Sequence, residues 1–349
     1  MKWLVMVLLL LGVIPATVAQ QSAPPLIVWS YDGGFLQVYD GTSMAPLDTC
    51  APTGDTYTGF PITFSPDGSH FAYLGLTNNL SRIYVCNVQG RTLVPVAGQE
   101  AEKIRSMPAW SPDNRRMAWN QVNADGSNLQ TIVYDFELGA GQVVYERAET
   151  SAAFVVPNIA WGASGLALYD MVRLSAEQSQ SSVTFINPDS GEARSITLDD
   201  VFGLVGQWAT QGGASYFVLS DAGTLTAIDP NTDAVVTLPG RLEIYNSMAG
   251  DASLGLSSLE GEWAVFGLDF SGALGIGQSE ASVTIAPDGQ RIAFVTFESY
   301  PYGGKVYVMS SFDSFPYQAT AIPGLDSAGY GEAGALYVFW GPTALRIRE

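Results

Sequence analysis

Few residues in this chain have types and spacings that could do chemistry. Its only histidine is His70, so a Ser-His-Asp arrangement would have to use it. It stands inside Ser65-Pro-Asp-Gly-Ser-His70 and reads as a histidine satisfied within a turn. There is no Gly-x-Ser-x-Gly elbow of the kind that exposes a hydrolase nucleophile. Carboxylate chemistry would fall to the pairs Asp199-Asp200 and Glu260/Glu262. Glycoside hydrolysis needs two carboxylates facing each other across a cleft, and nearness in sequence does not supply that. Asp229, Asn231 and Asp233, and Asn123, Asp125 and Asn128, have calcium-like spacing. An EF-hand-type loop wants Gly at its sixth position and a distant Glu. The first loop has Ala234 there, and hairpin-turn chemistry explains both. No catalytic set, metal site or cofactor is expected, with Ca²⁺ the single ion worth weighing.

Other residues point to structure or binding. Cys50 and Cys86 are the only cysteines and are candidates for one disulfide in an oxidising compartment. Two thiols and one histidine do not make a zinc site. Tyr300, Tyr302, Phe312, Phe315 and Tyr317 cluster in loop-like sequence and are candidates for a binding face, since aromatic residues are enriched at interfaces. Gly329-Tyr-Gly-Glu-Ala-Gly334 matches Gly-x-Gly-x-x-Gly. A dinucleotide site needs a helix after it, whereas the residues from Ala335 to Phe339 read as a strand.

The elements that must position these residues are strands. Phe64-Ser-Pro-Asp-Gly68, Trp110-Ser-Pro-Asp-Asn114 and Ile285-Ala-Pro-Asp-Gly289 each end a strand on a large apolar marker and then turn. Pro presets φ, Asp bonds backbone N–H groups ahead of it, and Gly or Asn tolerates positive φ. Ala72, Ala118 and Ala293 follow eight residues after each marker. Weaker copies open at Trp161, Trp208, Leu256 and Trp340. The seven markers lie 46, 51, 47, 48, 29 and 55 residues apart. A period in the forties, about four strands per unit and no helical periodicity predict an all-β propeller. One blade cannot bury both faces, and the small Ala lets neighbours approach. Seven four-stranded blades are favoured, with six the close alternative if Leu256 opens no repeat. The first and last strands are expected to share a blade and close the ring, which removes open edges.

Composition and charge set the address. The 349 residues are 47% hydrophobic and only 14% charged, with a net charge of −19. That acidity argues against nucleic acid and anionic membrane surfaces as partners. Met1-Lys2, the apolar run from Trp3 to Ile14, Pro15 and the small residues to Ala19 read as a signal peptide over 1–19. The run is too short for a comfortable membrane span. A single propeller domain over 20–349 follows, periplasmic or secreted, with no span after cleavage.

The Ser/Ala-Pro-Asp-Gly/Asn turns with their Ala-aromatic strands resemble the repeat of TolB-type propellers, which also occurs in prolyl oligopeptidase-like enzymes. The resemblance covers three blades well and implies an exported propeller. No counterpart of the N-terminal α/β domain of TolB, or of the peptidase half of the oligopeptidases, is expected in these 349 residues. Propeller lyases of similar repeat type carry a histidine-cluster metal site, which one histidine cannot supply. The expected function is therefore a non-enzymatic scaffold that binds a protein or a cell-envelope component. The alternative is an extracytoplasmic carboxylate-dependent hydrolase or carbohydrate-binding protein, assisted by calcium.

Overall fold

The computed structural model describes strands and most turns between residues 26 and 348. Outside the description lie residues 1–25, 31–34, 48–55, 58–61, 149–155, 174–178, 200–204, 249–253, 268–272, 278–281, 287–290, 310–318, 327–335 and some shorter stretches. Among the described residues every regular element is a strand, as the turn-punctuated alternation of the sequence requires.

The strands form antiparallel sheets that follow the chain in order, which makes the fold a β-propeller. Sheet 1 holds Leu26–Ser30, Phe35–Tyr39 and Pro46–Leu47, together with Leu336–Phe339. Sheet 2 runs Thr63–Phe64, His70–Thr77, Leu80–Asn87, Thr92–Val94, and sheet 3 runs Ala109–Trp110, Arg116–Asn123, Leu129–Asp135, Ala140–Arg147. Sheet 4 comprises Asn158–Gly162, Gly165–Arg173, Ser179–Ile186 and Ala193–Asp199. Sheet 5 comprises Val205–Gln211, Ala214–Asp221, Thr224–Ile228 and Val235–Leu238. Sheet 6 has Ser247–Met248, Leu254–Leu259, Glu262–Gly267 and Ala273–Gly277. Sheet 7 has Ser282–Ile285, Ile292–Ser299, Gly303–Met309 and Ala319–Asp326.

One register recurs. The residue before the marker pairs with the small residue eight positions after it: Thr63 with Ala72, Ala109 with Ala118, Thr284 with Ala293. This register corrects one expectation. In sheet 6 Ser247 pairs with Leu256, so Leu256 stands where the other repeats have Ala, on the second strand. The marker position belongs to Met248, which spaces the last repeats more evenly. The sequence hid this because residues 249–253 contain no Pro-Asp turn.

The two chain ends behave differently from each other. Leu336–Phe339 pairs with Leu26–Ser30, Phe339 opposite Ile27, as expected of a shared sheet. Ala344–Arg348 does not continue that sheet. It forms a separate two-stranded ribbon with Arg241–Tyr245, lying against the first strand of sheet 5 and the second strand of sheet 6. Nothing local in the sequence announces a pairing across so many residues.

The core lies between sheets rather than within one. Ala72, Ala118 and Ala293 are all 0% exposed. Ala72 shares a cluster with Trp110, Met117 and Trp119 of the next sheet, and Ala118 with Leu166 and Leu168. The methyl-sized residue is what lets the neighbouring indole or leucine approach. Each large side chain buried this way stabilises the fold by about 1.5–3 kcal/mol. Among the described residues no helix is long and apolar enough to cross a membrane.

Candidate functional site

The turns of sheets 2 and 3 lie against each other, and their Ser, Asp and His side chains are engaged in turn bonds, as the sequence predicts. In sheet 2 the Ser65 hydroxyl donates to Asp67 Oδ1 at 2.7 Å and accepts from the His70 N–H at 2.9 Å. Asp67 Oδ1 also accepts from the Ser69 N–H and hydroxyl. Sheet 3 repeats this: Ser111 donates to Asp113 at 2.6 Å, and the N–H groups of Arg115 and Arg116 bond Asp113 and Ser111. Gly68 and Asn114 both have positive φ, 68° and 62°, as their place in the turn demands.

The electrostatics follow from these bonds. Burial pushes the Asp67 carboxyl up, but its bonds from Ser65 and Ser69 outweigh that and hold it below the usual carboxylate range. Asp113 is held low mainly by the Ser111 hydroxyl. Both are ionised acceptors of structural bonds.

His70 is likewise engaged. Its Nδ1 lies 2.8 Å from the Ser69 hydroxyl and its Nε2 3.1 Å from the Asn87 side-chain nitrogen. The Asn87 amide donates to Nε2, so the proton sits on Nδ1. The hydroxyl, not the imidazole, touches the carboxylate, which reverses the order a nucleophile triad requires. The ring also stacks on Phe136 and tilts against Trp110, with centroids 6.2 and 6.0 Å away. Burial lowers its pKa, and Asp67 opposes this only in part.

These rings reveal an inter-sheet rule that the sequence reading missed. The residue six positions after one marker packs against the marker of the next sheet. His70 meets Trp110, Arg116 lies 5.2 Å over Trp161, and Arg291 lies 4.8 Å over Trp340. The same cations reach the outer turn of that next sheet: Arg116 pairs with Asp189 at 2.5 Å, and Arg291 donates to the Gly41 carbonyl. The markers answer by donating backwards. Trp110 Nε1 bonds the Thr63 carbonyl at 3.1 Å, and the Trp340 N–H bonds Thr284 Oγ1 at 3.0 Å. The recurrence of a basic residue at marker plus six was the signal available in the sequence.

Sheets 2 and 3 are sealed further by Asn114, whose Oδ1 accepts the Asp67 N–H across the interface at 3.0 Å. Sheet 4 has no counterpart. Its turn is Gly162-Ala-Ser-Gly165, with Trp161 opposite Leu166, two residues shorter than the turns of sheets 2 and 3. Gly162 is instead the seat of Trp208, which stands 2.5 Å from where a Cβ would be. Between the full turn of sheet 3 and the short turn of sheet 4 lies a cleft of about 350 Å³. Its walls include Ser111, Asp113, Arg116, Trp161, Asn187 and Asp189.

The opposite end of sheets 2–4 carries a buried polar network. Asn120 Nδ2 donates to the Pro157 carbonyl at 2.8 Å, and Thr131 donates to Asn120 Oδ1 at 2.7 Å. Arg105, 4% exposed, bonds the carbonyls of Ser81 and Glu100. Burial and the nearby charge of Arg82 push its pKa down to about 10. This network ties the connection between sheets 2 and 3 in place.

The remaining sequence candidates fall as follows. Asp229 accepts from the Asn231 N–H and the Thr232 hydroxyl, while Asp233 is ion-paired with Arg194. Asp125 accepts from Ser127, and the Asn123 side-chain oxygen accepts from Lys103 Nζ at 2.7 Å. A cation therefore already occupies one of the oxygens proposed for calcium. Among the described residues no group of three His, Cys, Asp or Glu is placed to hold a metal. Asp199 ends a strand of sheet 4 and Glu262 begins one of sheet 6, while Asp200 and Glu260 lie outside the described residues. Tyr300, Tyr302, Phe312, Phe315 and Tyr317, and the Gly329–Gly334 motif, also lie outside them. Cys86 is buried on the third strand of sheet 2, and its candidate partner Cys50 lies outside the described residues.

No protein-family profile and no curated protein matches the chain. Among solved structures it is similar to an oligogalacturonate lyase in complex with manganese, with 13% identity over 80% of this chain and 83% of that one, at a TM-score of 0.51. It is also similar to TolB from Acinetobacter baumannii (13% identity, 88% and 78% covered, TM-score 0.45). The β-propeller domain of the Trilobed protease from Pyrococcus furiosus is a third (14% identity, 77% and 85% covered, TM-score 0.41). At these identities the likeness bears on fold alone.

Proposed function

We propose that this chain is an exported, non-catalytic β-propeller of the TolB-like kind that serves as a binding scaffold for a protein or a cell-envelope component. In this reading residues 1–19 are a signal peptide and residues 20–349 one propeller, periplasmic or secreted, working without a cofactor. In the same reading the seven sheets serve as blades of a closed ring, a closure that the pairing of Leu26–Ser30 with Leu336–Phe339 supports. Cys50 and Cys86 are its disulfide, which peptide mapping under non-reducing conditions would detect as one linked peptide.

The observation that carries the reading is the fate of the reactive side chains. Asp67, Asp113, Ser65, Ser111 and His70 are spent on turn geometry and on contacts between sheets. They build a rigid end of the molecule whose surface differs from one blade junction to the next, a suitable platform for recognition. Crosslinking of the tagged protein in its own cell envelope, followed by mass spectrometry, tests this. Recovery of one enriched partner mapping to a single face is expected. Absence of any partner across several crosslinkers, with turnover of a polysaccharide by the purified protein, would overturn it in favour of an enzyme.

A further inference from the structure

We propose that the cleft between sheets 3 and 4 is a binding site for a neutral, hydroxyl-rich ligand the size of a short saccharide. The inference rests on the scaffold reading and names the chemistry of what one junction would hold.

The cleft exists because two residues are missing. At the preceding junction Asn114, at the tip of the sheet 3 turn, fills the space and bonds the Asp67 N–H. The sheet 4 turn, Gly162 to Gly165, has no Pro-Asp and no residue at the place of Asn114. The space so opened, about 350 Å³, lies at the lower end of the roughly 300–1,000 Å³ range of small-molecule sites. Arg116 lies over Trp161 with its side chain 24% exposed, and its pair with Asp189 borders the cleft. The sheet 4 outer turn is held by Asn187, whose Oδ1 accepts the N–H groups of Asp189 and Ser190 at 2.9 and 3.1 Å.

The lining selects the ligand. An anion would be drawn to Arg116 but repelled by Asp113 and Asp189, in a chain of net charge −19. A partner's lysine or arginine would find the position over Trp161 already taken by Arg116. A neutral polyol meets neither obstacle. Its hydroxyls can donate to Asp189 and to Asp113 Oδ2, the turn bonds using only Oδ1, and can accept from Arg116. Charged groups make the stronger hydrogen bonds to neutral partners. Asp189 is itself 75% exposed and its ion pair with Arg116 is a surface one, worth about 0–1 kcal/mol. A ligand hydroxyl can therefore share that pair at little cost.

The test uses the purified full chain on an array of neutral hexo-oligosaccharides, then titration calorimetry with maltotriose, cellotriose, mannotriose and an acidic trisaccharide of similar size. At least one neutral probe is expected to bind with a sub-millimolar Kd, and Arg116→Ala and Asp189→Ala to weaken it about tenfold or more. Glu102→Ala, an exposed change beside the strand that pairs with the far end of Arg116–Asn123, is expected to leave binding unchanged. Inserting Pro-Asp after Ala163, to restore the six-residue turn, should abolish binding while thermal unfolding stays cooperative. No binding of any neutral probe up to about 10 mM would overturn the proposal. So would binding indifferent to both substitutions, or an acidic probe bound as tightly as the neutral ones. If crosslinking in the envelope succeeds while these titrations fail, the scaffold reading stands and the cleft is not its site.

Discussion

The junction between sheets 2 and 3 and the junction between sheets 3 and 4 are built from the same repeat and end in opposite states. At the first, a full Ser-Pro-Asp-Asn turn sends Asn114 across to the Asp67 backbone, and His70 lies against Trp110 and Phe136. Trp110 is 6% exposed. At the second, the turn is two residues shorter, Trp161 is half-buried, and an exposed ion pair bridges an open cleft. One repeat can therefore make a sealed junction or an open cleft, and the two differ in turn length.

The largest expected difference lies in the two indoles. Trp110→Ala should cost about 3–5 kcal/mol, the usual range for a buried aromatic, because it removes the stack on Phe136 and the bond to Thr63. Trp161→Ala should cost less, about 1–2 kcal/mol, in proportion to its partial burial. Chemical denaturation of both variants would check this, and equal losses would break the contrast.

Next comes Asn114. Its replacement by Gly keeps the positive φ and removes only the bond to Asp67, for about 1 kcal/mol. Asn114→Ala adds the strain of a left-handed backbone and should cost about 1 kcal/mol more. A thermal unfolding series of the two variants separates conformation from the cross-junction bond.

The pH dependence should also divide the junctions. The folded pKa of His70 is lowered from 6.5, so the folded state binds its proton less readily than the unfolded chain. The stability it contributes is complete above pH 6.5 and is lost as pH falls through the folded value. His70→Gln should flatten that limb. Asp67 and Asp113 are lowered from 3.8, so their contribution is present above that value and is lost in stronger acid. Stability measured from pH 7 to 3 should show the first limb in wild type and not in His70→Gln. The smallest effect is expected for Arg116→Ala, about 1 kcal/mol or less, the sum of a surface pair and a cation–π contact.

Much of the fold was legible in the sequence, for a physical reason. Pro-Asp-Gly turns are local, and the marker and Ala are fixed by a register that buries both. Where the sequence lacks Pro-Asp, as between Met248 and Leu254, it offers no anchor for the register, and Leu256 lies one strand later than its apolar character suggests. The ribbon of Arg241–Tyr245 with Ala344–Arg348 was illegible because it is a non-local pairing without a repeat. The candidate site was legible only in pieces. Arg116 and Arg291 recur at one position of the repeat, but a cleft made by a two-residue absence has no residues of its own to announce it. The turn acids were legible, since Asp67, Asp113, Asp125 and Asp229 hold their turns as local turn chemistry predicts.

The most direct measurement places a photoreactive amino acid at Ala163, in the open junction, and at Pro66, in the sealed one, and irradiates each protein in the intact cell envelope. A mass-shifted adduct from position 163 and none from position 66 is the predicted result. Adducts from neither position, or equally from both, would contradict the claim that the short turn of sheet 4 makes the recognition surface.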